Sequence, residues 1–208
     1  MSFHLERRRL YGILDMGYVT PAEVQRVANE MLLGGVEILQ LRAKEWKPLE
    51  IVKIASTLAP ICQSFGVPFV LNDHPALVPD SGADGVHIGQ DDVFVEEART
   101  LAGPEKIVGL STHSILQAKS AVDEAPDYIG FGPLFSTPTK PDYKAIGTAN
   151  IREVHRIVPM PIFCIGGIKL GNLADVLAAG ATRVVVVSGI LQAEHICDYC
   201  RACRAALS

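Results

Sequence analysis

The stretch PIFCIGGIKLGNLADVLAAGATRVVVVSGI, residues 161 to 190, holds two short apolar runs separated by an amphipathic segment. PIFCIGG and RVVVVSG are brief and apolar, and RVVVVSG is rich in β-branched residues, which is typical of buried parallel strands. Between them, LADVLAAG places apolar residues at steps of three and four, the spacing of a helix with one buried face. It ends at Gly180, as a helix with a glycine C-cap does. The stretch therefore predicts a strand, a helix and a second strand.

The same alternation runs through the rest of the chain. Six further runs of the strand type come earlier, namely LYGIL, EILQLR, PFVLN, GVHIG, KIVGLS and YIGFG. Helical spacing follows in PAEVQRVANEMLLGG, PLEIVKIASTLAPICQSFG and ILQAKSAVDEA, whereas the linker HPALVPDSG contains two prolines and has room for about one turn. Eight strands, each followed by a helix, predict an α/β fold of the closed (β/α)₈ TIM-barrel type. A doubly wound open sheet is the competitor, but eight units of about 25 residues favour closure.

Length and composition indicate one domain. The 208 residues carry a formal net charge of −4, and 49% of them are hydrophobic. We expect a single barrel over residues 1–208, with an N-terminal arm at 1–9 and a C-terminal helix at 193–208. The mildly acidic balance argues against nucleic acid or a membrane surface as a partner, and the short cluster Arg7 to Arg9 is interpreted as a solvated arm. No apolar run has the length of a secretory signal or a spanning helix.

The five cysteines are an odd number without framework spacing, which fits a reducing cytoplasm. Cys197, Cys200 and Cys203 form CDYCRAC, but no fourth ligand follows at zinc or iron–sulfur spacing. A metal site is the alternative; the i, i+3, i+6 spacing favours one side of a terminal helix packed on the core.

Polar side chains collect where the predicted strands end, which is where TIM barrels place their active sites. Gln40, Arg42 and, if the strand persists, Lys44 share one face of strand two. Two cations and an amide at a barrel mouth suit an oligophosphate, because Arg offers a bidentate fork and Lys a point charge. A surface salt-bridge cluster is the alternative.

Asp73 and Asp92 follow strands three and four. Mg²⁺ typically takes one or two carboxylates plus substrate phosphates, so this pair is a candidate Mg²⁺ site beside the two cations. Pairing with those cations or capping of the next helices explains the two carboxylates equally well. Asp91 or Asp92 is expected to cap the helix near Phe94, and Asp91 is preferred for that role.

A second anion site is indicated by GPLFSTPTK, residues 132 to 140, together with Gly166–Gly167 and Ser188–Gly189. These offer hydroxyls, a lysine and backbone N–H groups, and the loops after strands seven and eight often bind a phosphate. Two anion subsites, one of them assisted by Mg²⁺, indicate an enzyme that joins or splits two phosphorylated fragments. His113 is interpreted either as a general acid or base or as a polar residue at a helix start, and His87 as a satisfied, partly buried ring.

Together these motifs resemble the thiamine-phosphate synthase family, also called thiamine-phosphate pyrophosphorylase. QLRAK, LND, ADGVHIGQDD, GLSTHS, GFGPLFSTPTK and IGGI stand in the family's order, and the resemblance extends from residue 10 to residue 190. It implies a Mg²⁺-dependent transfer that joins hydroxymethylpyrimidine diphosphate to hydroxyethylthiazole phosphate, or to its carboxylated tautomer. The products are thiamine phosphate and pyrophosphate.

The resemblance also implies three sets of site residues. The pyrimidine diphosphate would be bound by Gln40, Arg42, Lys44, Asn72, Ser111 and Lys140. The thiazole phosphate would be bound by Thr137, Pro138, Thr139, Gly167, Val187 and Ser188. Asp73 and Asp92 would ligate Mg²⁺, and the candidate catalytic residues are Arg42, Lys44, Ser111 and Lys140. No nucleophilic side chain is required, because the thiazole nitrogen attacks, so Cys164 is interpreted as core.

Three departures and two alternatives accompany the resemblance, and one departure is that the first strand ends ILD where the family often has a Thr before the Asp. Ala43 stands where the family has Glu, and His74 where it has Arg; neither change removes a charge assigned to the diphosphate or the metal. A thiazole tautomerase, in which His113 would do acid–base work, and a non-catalytic barrel that binds a thiamine precursor are the alternatives. The retained pair Asp73 and Asp92 argues against both. A homodimer is expected from family analogy alone.

Overall fold

A computed structural model describes residues 3–137 and 144–208. The candidate site residues Pro138, Thr139 and Lys140 lie outside the described residues. Within them, eight parallel strands close into one barrel in chain order, and β1 pairs with β8 to complete it. The strands are β1 Leu10–Asp15, β2 Ile38–Arg42, β3 Phe69–Asn72, β4 Gly85–Ile88, β5 Ile107–Thr112, β6 Tyr128–Phe131, β7 Ile162–Cys164 and β8 Val184–Val186. The predicted TIM barrel is confirmed.

Helices connect the strands where apolar residues recur at helical spacing. They are α1 Val24–Leu33, α2 Pro48–Ser64, α3 Val78–Ser81, α4 Val95–Ala102, α5 Ile115–Glu124, α6 Ile151–Ile157, α7 Leu170–Ala178, α8 Ser188–Leu191 and α9 Ile196–Ala206. The proline-containing linker holds only a 3₁₀ turn, Pro75–Leu77, and the four-residue α3, which agrees with its predicted brevity. In the described part of the chain, no helix is long and apolar enough to cross a bilayer.

Alternation along the strands separates two apolar clusters. Leu39 and Leu41 of β2 belong to the large cluster between strands and helices, whereas Ile38 belongs to a smaller cluster inside the barrel. Three aromatic rings fill that interior edge to face, with centroids 5.4 to 5.9 Å apart: Tyr11, Tyr128 and Phe163. Because these rings fill the interior below the mouth, the open space inside the barrel lies at the carboxyl ends of the strands.

The terminal helix packs its cysteines on the core. Cys200 and Cys203 of α9 are fully buried and free, and Cys197 is partly exposed. A Cβ on Gly34 would lie 2.4 Å from Cβ of Cys200, so this glycine lets the end of α1 approach α9 closely. The expected packing of Cys200 and Cys203 is confirmed, and burial raises the pKa of the Cys203 thiol to about 11.

The basic cluster before β1 is only partly solvated. Arg7 is exposed, as expected. Arg8, however, donates hydrogen bonds to the carbonyls of Phe3 and Gly66, and Arg9 donates one to the carbonyl of Leu207. The guanidinium groups therefore attach this segment to the barrel, which the charge pattern alone did not predict.

Candidate active site

Two connected hollows open at the carboxyl ends of the strands. A central cavity of about 90 Å³ enters the barrel interior, and a cleft of about 130 Å³ lies beside it. The residues that line both are Arg42, Asn72, His87, Ser111 and His113. Because these side chains bound both spaces, the cavity and the cleft form one continuous site.

A buried carboxylate holds Arg42 in place. Asp15 and Arg42 are register partners at the ends of β1 and β2. Arg42 Nη1 donates to Asp15 Oδ2 at 2.7 Å, and the N–H of Gly17 donates to Asp15 Oδ1 at 2.9 Å. The Arg42 and Asp15 side chains are 14% and 4% exposed, so the pair is largely desolvated. Arg has five N–H donors, and the fixed fork can direct others towards a phosphate.

Lys44 reaches the site from a turn. β2 ends at Arg42, so the strand does not persist to Lys44, and alternation is not what places this side chain. Lys44 is exposed and lines the cleft together with Arg42 and Asn72. The two cations assigned to a diphosphate are thus brought together, one on a strand and one on the following turn.

Asp73 stays at the mouth because the chain turns sharply after β3. Its φ is 57°, in the left-handed region, and its N–H donates to the carbonyl of His87 at 2.8 Å. His74 follows with φ 52°. Asp and His adopt this region more readily than most side chains, so the backbone gives one reason why histidine is accommodated at position 74.

Asp92 closes the loop after β4. Its Oδ2 accepts a hydrogen bond from the N–H of Gly89 at 2.7 Å. The prediction that Asp91 or Asp92 caps the next helix is wrong, because Phe94 occupies the N-cap of α4 and no side chain caps it. Both Asp73 and Asp92 line the cleft, so this loop bond leaves the Asp92 carboxylate at the site.

The donor set fits Mg²⁺ better than most metals. Among residues 3–137 and 144–208, no group of three or more His, Cys, Asp or Glu side chains is arranged to hold a metal ion. Zinc needs three or four such ligands, whereas Mg²⁺ is commonly held by one or two carboxylates, waters and substrate phosphates. Asp73 and Asp92, lining one cleft with Arg42 and Lys44, match the second pattern.

A chain of hydrogen bonds crosses the barrel interior below the mouth. Gln40 Nε2 donates to Tyr11 Oη at 2.7 Å, and Tyr11 Oη lies 2.9 Å from Tyr128 Oη. His87 Nδ1 lies 3.1 Å from Tyr128 Oη, and His87 Nε2 lies 2.9 Å from Ser111 Oγ. We call these five side chains the relay: Gln40, Tyr11, Tyr128, His87 and Ser111. The prediction that His87 is a satisfied, partly buried ring is confirmed.

Two members of the relay, Tyr11 and Tyr128, had no role from the sequence motifs. Both are 1% exposed, and burial raises the pKa of each hydroxyl, so both keep their protons over the working pH range. Strand alternation places both rings inside the barrel, but only the pairing of strands brings the two hydroxyls together.

The opposite wall of the cavity is built from glycines and the start of α8. Thr137, Gly167, Val187 and Ser188, all assigned to the thiazole phosphate by resemblance, line the central cavity. Gly167 has φ 65°, and a Cβ there would lie 2.7 Å from Cβ of Phe135. Only glycine fits this turn, which keeps the backbone after β7 next to the cavity.

His113 lies just before α5. Ser114 is the N-cap, and its hydroxyl accepts from the N–H of Gln117 at 3.1 Å. The N–H of His113 donates to Gln117 Oε1, and His113 Nδ1 donates to the carbonyl of Gly132 at 2.5 Å. Its place at the helix start is confirmed, and its ring also lines the site.

Comparison with known proteins gives consistent matches. A family model described as thiamine monophosphate synthase matches residues 10–190. A thiamine-phosphate synthase of Thermus thermophilus is 47% identical over 201 residues, covering 95% of this chain and 94% of the relative. One of Halalkalibacterium halodurans is 40% identical over 193 residues, covering 92% of each. The solved structure of a thiamine phosphate pyrophosphorylase from Pyrococcus furiosus matches with a TM-score of 0.88 at 30% identity, covering 98% of this chain and 96% of that one.

Proposed function

Because the chain belongs to the thiamine monophosphate synthase family, it is a transferase of thiamine biosynthesis, and we propose its substrates, metal and site residues. The reaction is the Mg²⁺-dependent condensation of 4-amino-2-methyl-5-(diphosphooxymethyl)pyrimidine with 4-methyl-5-(2-phosphoethyl)thiazole or its carboxylated tautomer. The products are thiamine phosphate and pyrophosphate. The observation that carries the proposal is the shared cleft of Arg42, Lys44, Asp73 and Asp92, which opens into the central cavity.

The cleft suits the pyrimidine diphosphate. Arg42 and Lys44 supply two positive charges, and the buried Asp15 fixes the direction of the Arg42 guanidinium. Asn72 and Ser111 line both the cleft and the cavity, so they can address the junction between diphosphate and ring. Lys140, outside the described residues, is proposed for the same diphosphate from its motif.

Departure of pyrophosphate is the step that this cleft assists. Negative charge grows on the leaving oxygen as the bond to the pyrimidine methylene breaks, and fixed cations at that oxygen lower the barrier. Arg42 is preorganised for this because its partner Asp15 is already in place before substrate binds. Mg²⁺, held by Asp73 and Asp92, would add Lewis-acid neutralisation of the phosphate oxygens.

The thiazole phosphate fits the other wall of the cavity. Backbone N–H groups near Gly167 and Ser188, with the hydroxyl of Thr137, suit the oxygens of a monophosphate. Pro138 and Thr139 are assigned to the same subsite from their motif. The two phosphorylated ends would then lie on opposite sides of the cavity, with the rings between them and the thiazole nitrogen as the nucleophile.

Compartment and assembly are part of the proposal. All five cysteines are free, which fits the reducing cytoplasm. A homodimer stays a prediction from family analogy.

Product analysis tests the function directly. The purified protein is incubated with both substrates and Mg²⁺, with and without EDTA, and the mixture is separated by chromatography. We expect thiamine phosphate and pyrophosphate in equal amounts, and neither product when EDTA is in excess. Turnover of the thiazole phosphate alone, without the pyrimidine diphosphate, would instead support a tautomerase.

Replacing Lys44 by Gln is expected to raise KM for the pyrimidine diphosphate about tenfold, because a charge-assisted hydrogen bond to phosphate is lost. Steady-state kinetics with each substrate varied in turn would measure this. Lys53→Gln is the matched control, since it removes the same charge from an exposed position on α2. If KM for the thiazole phosphate rose instead, the two phosphate subsites would be assigned the wrong way round.

A further inference from the structure

The relay connects the two sides of the substrate cavity, with Gln40 at one end and Ser111 at the other. We propose that Tyr11 and Tyr128 are positioning residues that fix the direction in which hydrogen bonds are donated along the relay. This direction selects a ring carrying an amino group over one carrying an oxo group. This inference rests on the proposed function, because it concerns the pyrimidine substrate of the same site.

When the imidazole is neutral, only two proton arrangements make all four bonds of the relay and also use both tyrosine protons in them. Each tyrosine hydroxyl has one proton to donate, and a neutral imidazole has one N–H and one acceptor nitrogen. In the first arrangement Gln40 donates to Tyr11, Tyr11 to Tyr128, Tyr128 to His87, and His87 to Ser111. In the second every bond is reversed, and the Gln40 amide must rotate so that Oε1 accepts from Tyr11. A partial reversal would leave one buried tyrosine proton without an acceptor, which is unfavourable, so the two ends are coupled.

The structure has the first arrangement at Gln40, where Nε2 is the donor. In that arrangement Gln40 Oε1 has no hydrogen-bond partner in the described part of the chain, although the side chain is 2% exposed and lines the cavity. A buried acceptor without a partner is unfavourable until a donor arrives. At the other end, Ser111 accepts from His87 and keeps its own proton for a ligand acceptor.

The relay members have little freedom to rearrange. The His87 and Tyr128 rings are stacked, with centroids 5.4 Å apart. A Cβ on Gly109 would lie 2.2 Å from Cζ of Tyr128, so β5 has a glycine where the Tyr128 ring passes. Both hydroxyls remain protonated because they are buried. Because the rings are held in place and both hydroxyls keep their protons, the relay can determine the orientation of the Gln40 amide.

An exocyclic amino group presents a donor to Oε1, whereas an oxo group at the same ring position presents a second acceptor. The oxo ring would need the amide to rotate, and with it the entire relay to reverse. Sites that hydrogen-bond a buried polar group discriminate strongly against a ligand with the wrong partner. Tyr11 and Tyr128 thereby determine specificity through Gln40, even where they make no bond to the ring.

Calorimetry on the full chain tests this inference with two probes, the 4-amino pyrimidine diphosphate and its 4-oxo analogue, in the presence of Mg²⁺ and without thiazole phosphate. The measured quantity is Kd of the 4-oxo analogue divided by Kd of the 4-amino ligand. Binding is measured rather than turnover, because turnover would also include the effect of the ring substituent on bond breaking. We expect Tyr11→Phe and Tyr128→Phe each to reduce that ratio about ten- to hundredfold. Tyr199→Phe is the matched control: its hydroxyl accepts from the N–H of Leu170, and the ratio should stay at the wild-type value.

The two tyrosine variants separate a relay from a simple contact. Tyr128→Phe leaves the bond between Tyr11 and Gln40 intact, so a reduced ratio in Tyr11→Phe alone would overturn the relay. Equal weakening of both ligands in either variant, which is what a merely structural role predicts, would overturn it as well. Wild-type protein that forms no thiamine phosphate and binds the amino ligand no better than the oxo one would overturn the proposed function itself. If the wild-type protein prefers the amino ligand and both tyrosine variants keep the wild-type Kd ratio, the relay inference would be overturned and the proposed function would stand.

Discussion

Replacing Asp92 by Asn is expected to lower kcat about 10²- to 10³-fold at a fixed Mg²⁺ concentration, with the barrel still folded. The carboxamide oxygen of Asn can still accept the hydrogen bond that Gly89 donates to Asp92 in the wild-type protein, so the loop after β4 keeps its closure. What disappears is one negative charge from a proposed pair of metal ligands. Steady-state turnover across a Mg²⁺ titration measures the effect, and we expect half-maximal activity to shift to a higher Mg²⁺ concentration.

Asp91→Asn is the control for Asp92→Asn, because it removes the same charge from the neighbouring exposed residue of the same cleft. Its activity and Mg²⁺ dependence should remain close to those of the wild-type protein. Asp92→Ala removes the loop bond as well as the charge, so any further loss relative to Asp92→Asn measures the contribution of loop closure. Wild-type kcat and Mg²⁺ dependence in Asp92→Asn would exclude Asp92 as a metal ligand.

The barrel was predictable because its signals are local. A run such as VVVV before Ser188 and the helical spacing of LADVLAAG each fit within a dozen residues, and eight repeats of that alternation leave few topologies. Strand lengths were less predictable. PIFCIGG indicates a strand longer than the observed Ile162–Cys164. The observed strand is shorter because Gly166 and Gly167 adopt positive φ angles, which extended strands do not have.

The strand-end site was predictable for the same reason, since alternation and motif order place Gln40, Arg42 and Asp73 at the mouth. The residues that hold them in position were not. Asp15 pairs with Arg42 only because β1 and β2 align in one register, and Tyr11 reaches Tyr128 across the barrel. The register between strands brings together residues that are distant in sequence. A single sequence, without information on which strand residues pair, does not determine that register.

Local preferences also gave one wrong result. Asp favours N-cap positions, which predicted that Asp91 or Asp92 caps α4. In the structure Asp92 instead accepts from Gly89 within the loop, and the helix begins after Phe94. A capping preference is worth about 1 kcal/mol, which a competing loop hydrogen bond of similar strength can offset.

Replacing Arg42 by Ala is expected to lower the free energy of unfolding by about 3–5 kcal/mol, in addition to abolishing most turnover. The substitution removes the partner of Asp15, whose side chain is 4% exposed, and so leaves a buried carboxylate without its counter-charge. Turnover falls for a separate reason, because the preorganised donor for the departing pyrophosphate is lost. Urea denaturation, with the midpoint and the slope both fitted, measures the first effect, and product formation measures the second.

A second substitution separates these two effects. Asp15→Asn in the Arg42→Ala background removes the unpaired charge, while the Asn carboxamide oxygen can still accept from the N–H of Gly17. We expect the double variant to recover most of the lost stability and none of the lost activity. Recovery of turnover together with stability would mean that Arg42 supports only the fold. An Arg42→Ala protein as stable as wild type would instead show that Asp15 is not dependent on this pair, because solvent or another group satisfies its charge.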